Sequence, residues 1–211
     1  MAGILVTIEG TEGAGKGAAV TFSKEFLAKR KVPVVWTREP GGTQLGERVR
    51  QLILTNDFAH PVTLSAELLL FFAARAQHLE EVIKPALAAG KIVVCDRFTD
   101  SSYAYQGFAR GGDIELIKQL ERVVQGDLRP KFTLLLKVPA EVGLARASKR
   151  GALDRIESEQ IDFFKRVVAG YDQLIKLDRA KRFRIIDADC SLELVHRQLE
   201  RFWQEVLEVY G

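Results

Sequence analysis

Apolar and β-branched runs recur along the chain at 4–8, 33–37, 91–96, 132–138 and 183–187, with helical patterns between them. Stretches such as Ile92-Val93-Val94-Cys95 and Thr133-Leu134-Leu135-Leu136 are mostly apolar without alternation, as in strands covered on both faces. Strands alternating with helices predict a parallel sheet with crossover helices on its faces. Helices are expected over 16–30, about 45–55, within 63–89, over 115–125, up to about Arg150, over 158–176 and in a closing segment to Tyr210. Leu68 to Ala74 is mostly apolar and predicts a helix buried nearly all round. No internal repeat, low-complexity tract or Pro-, Gly- or Ser-rich linker interrupts the chain, so residues 1–211 are expected to form a single domain.

The first run passes directly into Glu9-Gly10-Thr11-Glu12-Gly13-Ala14-Gly15-Lys16-Gly17. The spacing Gly10-x-x-x-x-Gly15-Lys16, between a strand and a helix, is that of a P-loop. Its glycines let successive N–H groups converge on an anion, the helix N-terminus adds partial positive charge, and the lysine brings a full one. Gly10, Thr11, Glu12, Gly13, Ala14, Gly15, Lys16 and Gly17 are therefore candidate phosphate-binding positions; the bland alternative is a strand–turn–helix corner. One feature departs from the pattern. The lysine of such a loop is normally followed by Ser or Thr, whose hydroxyl ligates Mg²⁺, but here Gly17, Ala18 and Ala19 follow.

In open α/β sheets ligands lie beyond the carboxyl ends of the strands. Arg38 and Glu39, in Thr37-Arg38-Glu39-Pro40-Gly41-Gly42-Thr43, fall there, or are a solvated turn; the same two readings hold for Arg48 and Arg50. The third strand ends in Asp96-Arg97-Phe98: Asp96 would help hold Mg²⁺ or cap a helix, and Arg97 would project toward phosphates. Phe71 and Arg75 share a helix face and could hold a nucleobase, or be a core residue with an interfacial ion pair. Asp100 to Gly107 is rich in neutral hydrogen-bonding groups suited to a nucleoside. Arg146, Lys149, Arg150 and Arg155 flank a break near Gly151, either a basic flap over a nucleotide or a helix end favoured by its dipole.

Composition narrows the class further. With 211 residues, 47% hydrophobic and 28% charged, the chain is an ordinary globular one, and a net charge of +3 gives no argument for nucleic acid. Cys95 and Cys190 lack metal-ligand spacing and read as reduced thiols. No apolar segment reaches bilayer-spanning length and no signal peptide is expected, so a cytoplasmic location is the default expectation.

Taken together, Glu9-Gly-Thr-Glu12-Gly-Ala-Gly-Lys16, Thr37 to Thr43, Leu70-Phe-Phe-Ala-Ala-Arg75, Asp96-Arg97-Phe98, Ser102-Tyr-Ala-Tyr-Gln-Gly107 and Arg150-Gly-Ala-Leu-Asp154-Arg155 resemble the thymidylate kinase family, in its bacterial form, over nearly the whole chain. The resemblance implies a P-loop NTPase fold, three-layer α/β/α with a five-stranded parallel sheet and a short LID at about 146–157. It implies ATP-dependent phosphorylation of dTMP to dTDP, with Mg²⁺, in a homodimer without nucleic-acid or membrane partners. By position, Lys16 and the loop amides would hold ATP, and Asp96 would belong to the metal shell. Lys16, Asp96, Arg97 and Arg150 would be catalytic, with Arg155 or Arg146 as alternatives to Arg150. Glu12 would accept the sugar 3′-hydroxyl, Phe71 would stack on thymine and Arg75 would reach its carbonyl edge. Arg50 and Arg97 would hold the dTMP phosphate, and Ser101, Gln106 and Glu39 would complete the pocket. The competing expectations are a kinase for another nucleoside monophosphate, and a slow or degenerate nucleotide-binding homologue that has lost its metal-binding hydroxyl.

Overall fold

The computed structural model describes residues 3–55, 57–149 and 154–211, and of Arg150 the backbone alone. Five strands, β1 (Ile4–Gly10), β2 (Val34–Arg38), β3 (Ile92–Asp96), β4 (Phe132–Lys137) and β5 (Phe183–Asp187), form one sheet in the order β2-β3-β1-β4-β5. Every pairing is parallel, so the strand carboxyl ends share one edge. From β1 the chain crosses to the edge strand β2, returns to β3 beside β1, and then passes to β4 and β5 on the other side, which opens a crevice at the end of β1.

Side-chain alternation along β1 sorts the two layers. Val6 and Ile8 face α1 (Lys16–Lys29) and α9 (Leu192–Tyr210), in a core with Leu27, Leu199, Phe202 and Trp203. The Trp203 indole is fully buried and donates to Ser23 Oγ at 2.7 Å, which satisfies its one polar atom. Leu5, Thr7 and Glu9 face the other layer. That layer holds α2 (Gln44–Leu54), α3 (Leu64–His78), α5 (Thr99–Ser102), α6 (Ile114–Gln125) and α8 (Ile161–Leu177). Among the described residues the other α-helices are α4 (Lys84–Ala88) and α7 (Ala140–Ala147), the latter running into a 3₁₀ turn over Ser148–Arg150.

Two local expectations are corrected. The long helical stretch within 63–89 is not one α-helix: α3 gives way to a π-turn over Leu79–Ile83 before α4. Pro85 lacks an N–H and its ring crowds the carbonyl four residues back, so the ladder widens ahead of it. Nor is α3 buried all round, because Leu69 is 55% exposed and Ala66 and Ala73 are exposed with it. Its apolar run is read by the core on one side only. The segment after β3 is a short α5 followed by a π-turn over Tyr103–Ala109, which α8 covers.

Candidate active site

The glycine loop closes tightly around its own backbone. Gly13 and Gly15 take φ of 68° and 91°, which side chains resist, and a Cβ on Gly13 would lie 1.9 Å from the carbonyl oxygen of Gly143 in α7. Gly15 caps α1 without a side-chain bond, so the first amides of the helix stay open to an anion. Lys16 lies across the loop, its Nζ donating to the carbonyls of Gly10 at 3.0 Å and Thr11 at 3.1 Å. Its stem is partly exposed, but its ammonium is enclosed. Burial first, and then the Arg97 charge, bring its pKa down to about 8.

A cleft of about 580 Å³ runs from this loop to the face of α3. The amides of 13–18 line one end, Phe71, Arg75 and Gln106 line the other, and Glu12, Arg50, Asp96, Arg97 and Ser101 lie along it. Of the site residues expected from the sequence, Glu12 to Gly17, Glu39, Arg50, Phe71, Arg75, Asp96, Arg97, Ser101 and Gln106 line this cleft, whereas Gly10 and Thr11 do not; the side chain of Arg150 lies outside the described residues, as do Gly151, Ala152 and Leu153. The other two flap arginines separate. Arg146 lines the cleft and donates to the Ala188 carbonyl at 2.8 Å, beside the turn after β5. Arg155 is directed at α2 and α3, its Nε donating to the Ile53 carbonyl at 2.7 Å and its Nη2 pairing with Glu67.

Arg97 stands at the middle of the cleft wall with φ of 66°, a conformation that costs a residue bearing a Cβ roughly 1 kcal/mol. The turn is held by its neighbours: Arg97 N donates to Ile8 O at 2.9 Å, and Phe98 N to Glu9 Oε1 at 2.8 Å. The guanidinium donates to Glu12 Oε1 at 2.6 Å and Ser101 Oγ at 3.2 Å. Tyr105 OH completes the set by donating to Glu12 Oε2 at 2.7 Å. Glu12 and Ser101, expected to contact substrate, therefore also align Arg97.

Arg75 is 1% exposed. Its Nε donates to Glu39 Oε2 at 2.7 Å and its Nη2 to Ser102 Oγ at 3.1 Å, while Nη1 is buried with no protein partner. Glu39 spends its other oxygen on His78 Nδ1 at 3.0 Å, and the far ring nitrogen of His78 meets Thr37 Oγ1 at 2.6 Å. Glu39 lines the cleft, but both its oxygens serve to hold Arg75 and His78. Cys95 is near enough to Glu39 and His78 for the three to share a cation, yet internal hydrogen bonds already occupy the set. Asp96 is different: its Oδ1 is buried without a partner, as a ligand of a metal or of its hydration shell would be. Arg50 reaches the cleft with its Nη1 on the Pro40 carbonyl at 3.1 Å.

The geometry is thus a phosphate cradle and an aromatic–guanidinium pocket in one cleft, with cations between. A profile of the thymidylate kinase family matches residues 8–199. The chain belongs to the thymidylate kinase family. It is 50% identical over 208 residues to the thymidylate kinase of Ectopseudomonas mendocina, covering 99% of this chain and 98% of that one. With the thymidylate kinase of Pseudomonas syringae pv. tomato it shares 49% over 209 residues, covering 99% of each. The crystal structure of thymidylate kinase from Ehrlichia chaffeensis superposes with a TM-score of 0.76 at 33% identity, covering 97% of this chain and 99% of that one.

In this thymidylate kinase family member, two buried acids that help hold the site in shape were not singled out from the sequence. Glu9 is fully buried and accepts from Phe98 N, from Ser101 Oγ at 2.6 Å and from Tyr171 OH at 2.8 Å. Burial, then the Asp100 charge, push its carboxyl up to about 7. Tyr171 comes from α8, more than one hundred and sixty positions away. Glu67 is likewise buried, under Gln106. Glu9 stood inside the quoted loop motif, but an acid at a strand end carries no signal of what will pack on it.

Proposed function

We propose that this chain transfers the γ-phosphoryl group of ATP to dTMP, giving dTDP and ADP, by direct in-line attack of a dTMP phosphate oxygen. What supports the reading is a single continuous cleft that joins the glycine-loop cradle to the pocket of Phe71, Arg75 and Gln106. ATP would lie with its phosphates on the loop amides and Lys16. Thymine would stack on Phe71, with Arg75 Nη1 donating to a ring carbonyl. Arg97 and Arg50 would take the dTMP phosphate, and Glu12 the sugar hydroxyl, so that the two phosphates meet end to end.

No covalent intermediate is required. The protein supplies alignment and charge, with Lys16, Arg97, Arg50 and a flap arginine offsetting the repulsion between two polyanions. Arg150 is the proposed flap residue, with Arg146 the alternative beside the cleft; Arg155 is engaged by Glu67. Asp96 would hold Mg²⁺ directly or through water, which fits its unpartnered oxygen, whereas Gly17 and Ala18 offer no hydroxyl. When bound, that ion neutralises charge on the transferring phosphates.

The chain would work as a cytoplasmic homodimer. Leu69 on α3 and Leu116 and Val123 on α6, which packs against α3, are exposed apolar residues and support an interface there. Residues 1–211 would act as one domain. The test of the reaction is ADP release with ATP against dTMP, dUMP, dCMP, AMP and GMP, with and without Mg²⁺. Turnover selective for dTMP is expected; acceptor-independent ATP hydrolysis, or binding without turnover, would overturn the reading.

A further inference from the structure

Glu67, Phe71 and Arg75 are spaced four residues apart on α3, so they form one stripe along its face. Phe71 and Arg75 line the cleft, and Glu67 lies beneath it at 1% exposure. Both of its carboxylate oxygens receive donors. Gln106 Nε2 donates to Oε1 at 2.7 Å and Arg155 Nη2 to Oε2, while the Arg110 guanidinium pairs with Oε1 by charge alone, its Nε 3.3 Å away. A carboxylate engaged in this way only accepts.

That has a consequence for Gln106, which is 2% exposed and lines the base end of the cleft. An amide has an acceptor edge and a donor edge, and a flip would set its oxygen lone pairs against those of Glu67. We propose that Glu67 is a positioning residue for base selection: it fixes the Gln106 amide with its NH₂ turned to the protein, so that the carbonyl oxygen is the end the cleft presents.

This rests on the reading of the pocket as a pyrimidine nucleotide site, and deepens it. The pocket then offers a fixed acceptor, Gln106 Oε1, and a buried free donor, Arg75 Nη1, on residues that line the same cleft. A base with a ring N–H beside a carbonyl matches both. A base with a bare ring nitrogen beside an amino group opposes lone pair to lone pair and donor to donor. Thymine and uracil are of the first kind at N3 and C4, and cytosine is of the second. Sites built on buried hydrogen bonds reject a mismatched partner by orders of magnitude, because the buried groups are left unpaired.

The experiment is kcat/KM for dTMP and dCMP, with ATP and Mg²⁺, in the wild type and in Glu67→Gln. The Gln side chain can turn either edge to Gln106 and so frees it to flip. The expected result is a dTMP-to-dCMP ratio lowered by about tenfold or more, with the dCMP value rising. Equal losses for both substrates would mark Glu67 as structural only and overturn the proposal. A wild type inactive on dTMP would overturn the functional reading itself, and is thereby distinguished. Should Glu67→Gln not fold, the wild type still decides the matter through ¹⁵N spectra of the Gln106 side-chain amide, assigned by its loss in Gln106→Met. One amide proton should stay hydrogen-bonded to a carboxylate before and after dTMP is added; an amide that reorients onto the base sinks the idea.

Discussion

Arg97 Nη2 donates to Glu12 Oε1 at 2.6 Å, across eighty-five positions of sequence. The contact joins the end of β3 to the glycine loop, so the cation that would take the acceptor phosphate and the cradle that would take ATP move as one piece. Removing it should affect chemistry more than folding. Arg97→Gly relieves the left-handed backbone, and is expected to hold thermal stability to within about 1 kcal/mol while kcat/KM for dTMP falls by roughly 10²–10³, or about 3 kcal/mol of transition-state stabilisation. Steady-state kinetics beside a thermal melt check both halves.

Lys16 carries a pH signature. Its pKa in the free cleft is about 8, against 10.5 for an unburied lysine. Phosphates placed on the ammonium favour its charged form, so ATP binding above pH 8 takes up a proton. Affinity for ATP should be flat below about 8 and weaken as the pH rises through that value. Calorimetric titrations in buffers of different ionisation enthalpy should register proton uptake at pH 8.5 and little at pH 6.5. The Lys16→Met variant should show neither the uptake nor the slope.

Glu9 gives a dependence of the same sense, in stability rather than in affinity. Its carboxyl sits at about 7 in the folded chain and near 4.5 when unburied. Between those values the folded state holds a proton that the unfolded state has released. The contribution is therefore complete below about 4.5 and is lost as pH rises through 7. Denaturant midpoints of the wild type, measured from pH 5 to 8, should fall relative to those of Glu9→Gln over that window. Parallel curves would show that the acid is not protonated in the fold.

Gly17 is a place where a missing group can be returned. A Cβ there meets nothing within 4 Å, and Ser is also a better helix former than Gly by a few tenths of a kcal/mol. Gly17→Ser should tighten divalent-cation binding in the presence of a non-hydrolysable ATP analogue by about two- to tenfold, the worth of one added ligand hydrogen-bond equivalent. Mn²⁺ electron paramagnetic resonance titration reads this independently of turnover. Unchanged affinity would mean that Asp96 and water already satisfy the ion.

The proposed interface is testable on its surface alone. Leu69 and Val123 are 55% and 82% exposed in the single chain. A Leu69→Glu, Val123→Glu double variant should sediment as a monomer where the wild type sediments as a dimer, with the fold retained by circular dichroism.

The five strands, their parallel order class and the glycine loop were legible in the sequence because each is a local signal. Continuous apolar runs of strand length, a fixed glycine spacing and a lysine at a helix start do not depend on distant residues. Lys16, Glu39, Asp96 and Arg97 fall at one place because strand ends in such a sheet share one edge, whereas Arg50, Phe71, Arg75 and Gln106 reach the cleft from helices. What the linear pattern could not carry was partnership. That Glu9 would meet Tyr171, that Glu39 would be spent on Arg75 and His78, and that Arg155 would face Glu67 are contacts between elements whose own patterns are complete without each other. The same holds for α3. Its apolar run is equally good for a core or for an exposed stripe, and only the packing of α2 and α6 around it decides that Leu69 stays outside. Backbone periodicity is set within a few residues by steric and hydrophobic rules, whereas a buried charge finds its partner only once the layers have closed and water has been removed from between them.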